Sequence, residues 1–141
     1  MKSYTAGGTI RVSRFVNLST TETNTVLEAD ANEKVTGITQ AGGRTAPTPD
    51  VTTDPVEAAQ DGETLGVHVA GELDSQTVLL ELGTGGATAG DYLESDADGK
   101  GVTAATTAET IRYIGAEAQE SGSAGEKIRV IPRSFTLTNP A

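Results

Sequence analysis

The chain has no cysteine and no tryptophan, one histidine and one methionine among its 141 residues. Without cysteine, disulfides and thiolate metal sites are excluded, and the redox compartment leaves no mark. A Ser-His-Asp relay would have to be built on His68, the sole histidine. His68 sits between Val67 and Val69 in an alternating stretch, so a histidine on a strand surface is the plainer reading. Long apolar runs are missing too. No segment approaches the roughly 18 residues a membrane span needs, and the N-terminus lacks the apolar centre of a signal peptide. The chain reads as soluble and unsecreted, with no membrane partner.

Large apolar residues are sparse. Leu, Ile, Val and Phe number 9, 6, 11 and 2 in a chain of 141, about one fifth. That fraction borders on the composition of disordered chains. Several segments nevertheless alternate cleanly, which argues for a folded protein with a thin core, of the kind a partner subunit or surface completes. One domain is the default for this length.

What is plentiful is acid. The net charge is −10, and lysine is confined to Lys2, Lys34, Lys100 and Lys127. Nucleic-acid binding needs basic surface, so it is disfavoured. Dense acidity suits a host with high internal salt, where repulsion is screened; ordinary acidity for solubility is the simpler alternative. The charge is also unevenly spread. All 20 acids lie between Glu22 and Glu126, alongside only Lys34, Arg44, Lys100 and Arg112, so that stretch carries −16. Lys2, Arg11 and Arg14 mark one basic end, and Lys127, Arg129 and Arg133 the other. Brought together, the two ends would make a basic pole on an acidic body and would steer docking onto an acidic partner. Otherwise they are solvated ends.

Along the chain, residues 1–9 read as a flexible N-terminal arm and 10–141 as a single β-rich domain. Ile10 to Leu18 alternates with strand spacing. Thr25-Val26-Leu27 and Lys34 to Thr39 read as further short strands. Ala41 to Asp54, with Gly42, Gly43, Pro47 and Pro49, reads as a loop. Asp54-Pro55-Val56-Glu57 has the form of a helix start, and Gly62 a helix stop, giving one helix of at most about two turns. Leu65, Val67 and Val69 mark a half-buried strand. Val78 to Leu82 is the most apolar run and is expected to be the central strand. Tyr92-Leu93-Glu94 and Val102 flank the Asp98-Gly99 turn, a hairpin signal. Ile111 to Ala116 and Lys127 to Ile131 are the last firm strands. Pro132 is expected to end the second, leaving Phe135 to Leu137 as an edge strand or tail. The expected fold is mostly β: a small β-sandwich or short β-barrel with one short helix and flexible terminal arms.

Three patterns invite chemistry and fail. Asp96-Ala97-Asp98-Gly99 hints at a calcium loop, but loop positions 5 and 12 fall on Lys100 and Thr107, which cannot serve. A tight turn explains it better, with weak cation capture among Asp91, Glu94, Asp96 and Asp98 left open. Gly83 to Gly90 is glycine-rich yet lacks the Lys-Ser/Thr ending of a phosphate loop. No pair of carboxylates stands out among so many. No catalytic residue, metal ligand or cofactor-binding residue is assigned, and no enzyme is expected.

A resemblance carries the functional expectation. Ala89-Gly90-Asp91-Tyr92-Leu93 followed by Ser95-Asp96-Ala97-Asp98-Gly99-Lys100, then Tyr113 to Ala118, then Ala124 to Ile131, resembles the small capsid decoration (cement) proteins of tailed phages and tailed archaeal viruses. The likeness covers the last third, with a weaker echo at Asp61 to Val67. It implies a homo-oligomer, a trimer by preference with a pentamer left open, made in the host cytoplasm and seated on the outer capsid surface of the virion. There it would clamp neighbouring major capsid subunits against genome pressure. Arg11, Arg14, Arg129 and Arg133, with Phe15 and Phe135 as apolar anchors, are the candidate interface. The alternative is a β-rich turret, head-fibre or tail-associated subunit. A carbohydrate-binding module is disfavoured, because Tyr4, Phe15, Tyr92, Tyr113 and Phe135 are the only rings.

Overall fold

A computed structural model describes residues 2–39, 57–69 and 77–140. The described residues form strands and turns and no helix. Five strands close into a barrel in the order β1 (Lys2–Ala6), β4 (Thr25–Glu28), β3 (Phe15–Leu18), β5 (Gly37–Thr39) and β7 (Thr64–Val69). β7 returns to pair antiparallel with β1, and β1 runs parallel to β4. A two-stranded ribbon, β2 (Ile10–Arg11) with β6 (Glu57–Ala59), adjoins it. Tyr4, Ala6, Ile10, Val16, Val26, Ala59, Leu65 and Val67 form its core.

The second sheet has the order β10 (Gly101–Thr103), β9 (Tyr92–Ser95), β11 (Ile111–Ala118), β12 (Lys127–Thr138), β8 (Val78–Glu81). Its end strands approach each other through a single parallel bridge, Leu82 to Gly101, so it is curled almost shut. Its core contains Leu80, Leu82, Leu93, Ala116, Ile128 and Val130, and also Phe15, Ala29, Val35 and Ile38 from the barrel half of the chain. The mechanism is strand alternation. On β3, Val16 points into the barrel while its neighbour Phe15, paired with Ile38, points out of it into the second core. Two thin cores thus share one wall, which offsets the scarcity of large apolar residues.

Several expectations change. Lys2–Ala6, expected in a flexible arm, is a barrel strand with Tyr4 and Ala6 buried. Ile10 to Leu18 is two strands, because Ser13 takes φ 57° and turns the chain between them. Residues 54–56 of the expected helix and all of the expected loop 41–54 lie outside the described residues. Glu57–Ala59 is a strand pairing Ala59 with Ile10. A helix so short has little stability of its own, and burial of Ala59 in the barrel core decides the matter. Gly62, read as a helix stop, takes φ 85° in a turn closed by Glu63 N–H donating to Gln60 C=O at 2.9 Å.

β8 lies at the end of its sheet rather than the centre. Its apolar run alternates: Val78, Leu80 and Leu82 are buried and Leu79 is exposed. Nor does Pro132 end β12, which continues to Thr138. Among the described residues β8 pairs with β12 only as far as Val130 and beyond it β11 is the sole partner, and a residue without an N–H is tolerated where one side of a strand carries no ladder. Other expectations stand. The hairpin pairs Val102 with Glu94, and Gly99 adopts φ 77°. That turn is packed tightly: a Cβ on Gly99 would come within 2.9 Å of the Phe15 carbonyl oxygen.

Candidate interaction surface

The six candidate interface residues divide into two groups by exposure. Arg11 and Arg14 pair inward with acids, whereas Arg129 and Arg133 are exposed on β12. Arg11, Arg14 and Phe15 lie at the junction of barrel and second sheet, occupied internally. Arg14 is 1% exposed. Its Nη1 donates to the Asp98 carbonyl at 2.9 Å and its Nη2 to Glu81 Oε2 at 3.2 Å. Lys100 Nζ reaches the same Glu81 oxygen at 3.5 Å. The backbone reinforces the seam: Glu81 N–H donates to Ser13 C=O at 2.9 Å, and Phe15 N–H to Gly99 C=O at 2.7 Å. Arg14 Nε has no hydrogen-bond partner.

Arg11 binds Glu28 with both arms of its fork, Nε to Oε2 at 3.0 Å and Nη2 to Oε1 at 2.8 Å. Its backbone N–H donates to Glu28 Oε2 at 2.7 Å. The hydrogen bond to Glu28 is the chief reason its already high pKa is raised further. Both side chains are partly buried, so removing either partner leaves the other less well compensated. Phe15 is fully buried. Arg11, Arg14 and Phe15 are therefore the joint between the halves, and Arg14 and Phe15 present no surface for docking.

Arg129, Arg133 and Phe135 are exposed, all on β12. Arg129 Nε donates to Glu120 Oε2 and Arg133 Nε to Glu117 Oε1, both at 3.3 Å. Phe135 meets Tyr92 edge-to-face, with ring centroids 5.1 Å apart. Beside them, Arg112 grips Glu94, with Nε donating to Oε2 at 2.7 Å and Nη2 to Oε1. That hydrogen bond raises the Arg112 pKa. Cross-strand pairing puts Arg112 opposite Leu137 and Ile114 opposite Phe135. The outcome is an apolar strip of Tyr92, Phe135 and Leu137, each more than a third exposed, beside ion pairs. Reasoning from sequence named Phe135 but missed Tyr92, Leu137 and the Glu94–Arg112 pair. Alternation along β12 could have added Leu137, two residues on from Phe135, whereas Tyr92 and the Glu94–Arg112 pair depend on which strands become neighbours.

Two remaining candidates are structural. Asp96 Oδ1 accepts from the backbone N–H of Asp98 at 2.8 Å and of Lys100 at 2.9 Å, so its carboxylate closes the turn. Among the described residues no three His, Cys, Asp or Glu side chains are grouped to hold a metal ion. His68 faces Ile38 across the β5–β7 pair, its Nδ1 buried without a hydrogen-bond partner. Burial pushes its pKa down.

No family model matches the chain, and no curated protein matches it. Among solved structures it is similar to the head fiber gp8.5 N base in bacteriophage phi29, with a TM-score of 0.61 and 13% sequence identity, over 93% of this chain and 91% of that one. At that identity the likeness is one of fold.

Proposed function

We propose that this chain is a structural protein of a tailed-phage virion, serving as the base of a fibre or similar appendage on the head. The observation that carries the reading is the end-to-end match to a head-fibre base, which spans both the barrel and the second sheet rather than one common motif. The rest of the molecule suits a mechanical role. A buried ion pair and shared core residues tie the two halves together, and an apolar strip faces outward. The partners would be the major capsid protein and further copies of the chain, as a trimer or a pentamer.

A second reading, capsid decoration, keeps the support of the motifs from Ala89 to Ile131. Both place the protein on the outside of the head and differ in copy number and shape. Electron cryomicroscopy of virions with and without the protein separates them. A fibre base gives difference density continuous with a projecting stalk, and a decoration protein gives low, regular density where capsomers meet. Density confined to the tail would overturn both.

A further inference from the structure

We infer that the second sheet opens from the barrel as a unit while the barrel stays folded, a conformational device set by how the two cores are built. Among the described residues the barrel core is drawn entirely from the stretch Tyr4 to Val69. The second core does not close on its own residues. Phe15, Ala29, Val35 and Ile38, four of its twelve buried members, come from the barrel half of the chain. Phe15 is the largest apolar side chain among them. The seals differ as well. A ladder of four residue pairs, from Lys2 opposite Val67 to Thr5 opposite Thr64, shuts the barrel, and the single bridge from Leu82 to Gly101 curls the second sheet. A second sheet that parts from the barrel loses one wall of its core. The barrel loses nothing from its interior, because Phe15 and Ile38 point out of it. Unequal dependence of this kind is what lets one part of a protein open below the free energy of global unfolding.

The seam is one that water can take over. The N–H groups of Phe15, Asn32 and Glu81 donate across it to the carbonyls of Gly99, Ser95 and Ser13, at 2.7, 2.9 and 2.9 Å. Opening hands these groups to water. It also rehydrates Arg14 and Glu81 together, so their pair, desolvated only in the closed state, opposes opening less than its 3.2 Å contact suggests. What holds the sheet down is the apolar wall, led by the fully buried Phe15 and Ile38. Opening uncovers Phe15 and Arg14, which the closed protein encloses. This holds whether or not the protein sits on a phage head, because it rests on the two cores alone.

Native-state hydrogen exchange on the full chain, followed amide by amide by NMR, tests the order of opening. In the wild type, ladder amides of β9, β11 and β12 around Ala116 should exchange at least about tenfold faster than those of β1, β3, β4 and β7. Two cavity variants separate the states. Ile128→Ala, in the second core, weakens the closed state alone and should speed exchange in both sheets at least about tenfold. Leu65→Ala, in the barrel core, weakens the closed and the opened state equally. It should speed barrel exchange at least about tenfold and leave the second sheet within about twofold of the wild type. Circular dichroism checks that each variant is folded, and the wild-type comparison decides alone should a variant fail to fold. A second sheet as protected as the barrel in the wild type, or one that speeds up as much as the barrel does in Leu65→Ala, would overturn the inference.

Discussion

The Arg14 guanidinium lies 3.2 Å from the Glu81 carboxylate, joining the turn before β3 to the last residue of β8 with the arginine wholly enclosed. Arg14→Ala leaves Glu81 with Lys100 alone as ion-pair partner among the described residues and removes a donor from the Asp98 carbonyl. The expected loss is about 3–5 kcal/mol, as for other broken buried pairs. Urea unfolding followed by circular dichroism measures it, and a loss under about 1 kcal/mol would class the pair with exposed ones. Arg14→Glu is accordingly a folding variant, unsuited to probing docking.

Gly115 lies against the shared wall. A Cβ there would come within 2.7 Å of Phe15 Cε1 and 2.6 Å of Val35 Cγ2. Gly115→Ala should cost about 1–3 kcal/mol through overpacking. Combining it with Phe15→Leu should cost less than the sum of the two single changes, since each relieves the other. Strict additivity in a double-mutant cycle would show that the wall yields elsewhere.

His68 supplies a pH dependence. Its pKa is lowered in the folded state by burial, so the unfolded chain takes up the proton first. Its contribution is therefore whole above the unfolded value of about 6.5 and is lost as pH falls below it. Melting temperatures measured between about pH 8 and pH 5 should decline more for the wild type than for His68→Gln. Parallel curves for the two proteins would remove the assignment.

The acidic stretch predicts a salt response. The Debye length shrinks from ~30 Å at 0.01 M to ~3 Å at 1 M salt. Repulsion among the 20 acids should relax over that range. Exposed pairs such as Arg129–Glu120 lose little by comparison, since each is worth about 0–1 kcal/mol. The melting temperature should rise with salt, and a flat profile would show that the acids are too dispersed to matter.

By itself the sequence determined the strand character of most described elements, Lys2–Ala6 and Glu57–Ala59 excepted, because period-two alternation is written residue by residue in stretches such as Leu65 to Val69. It also determined the Asp98-Gly99 hairpin, because positive φ there is a local demand that glycine meets. Tertiary structure alone decided how the strands are shared. Whether Phe15 is a surface anchor or a core residue depends on a second sheet contributed by residues more than sixty positions away, among them Leu80, Leu93 and Ile128. Arg14 carries the same charge on a docking face as inside a seam. Only the approach of Glu81 and Asp98, through pairings that local pattern does not encode, placed it in the seam. Pro132 was misleading for a related reason: a proline stops a strand that has neighbours on both sides, and among the described residues β12 is paired on one side alone by that point.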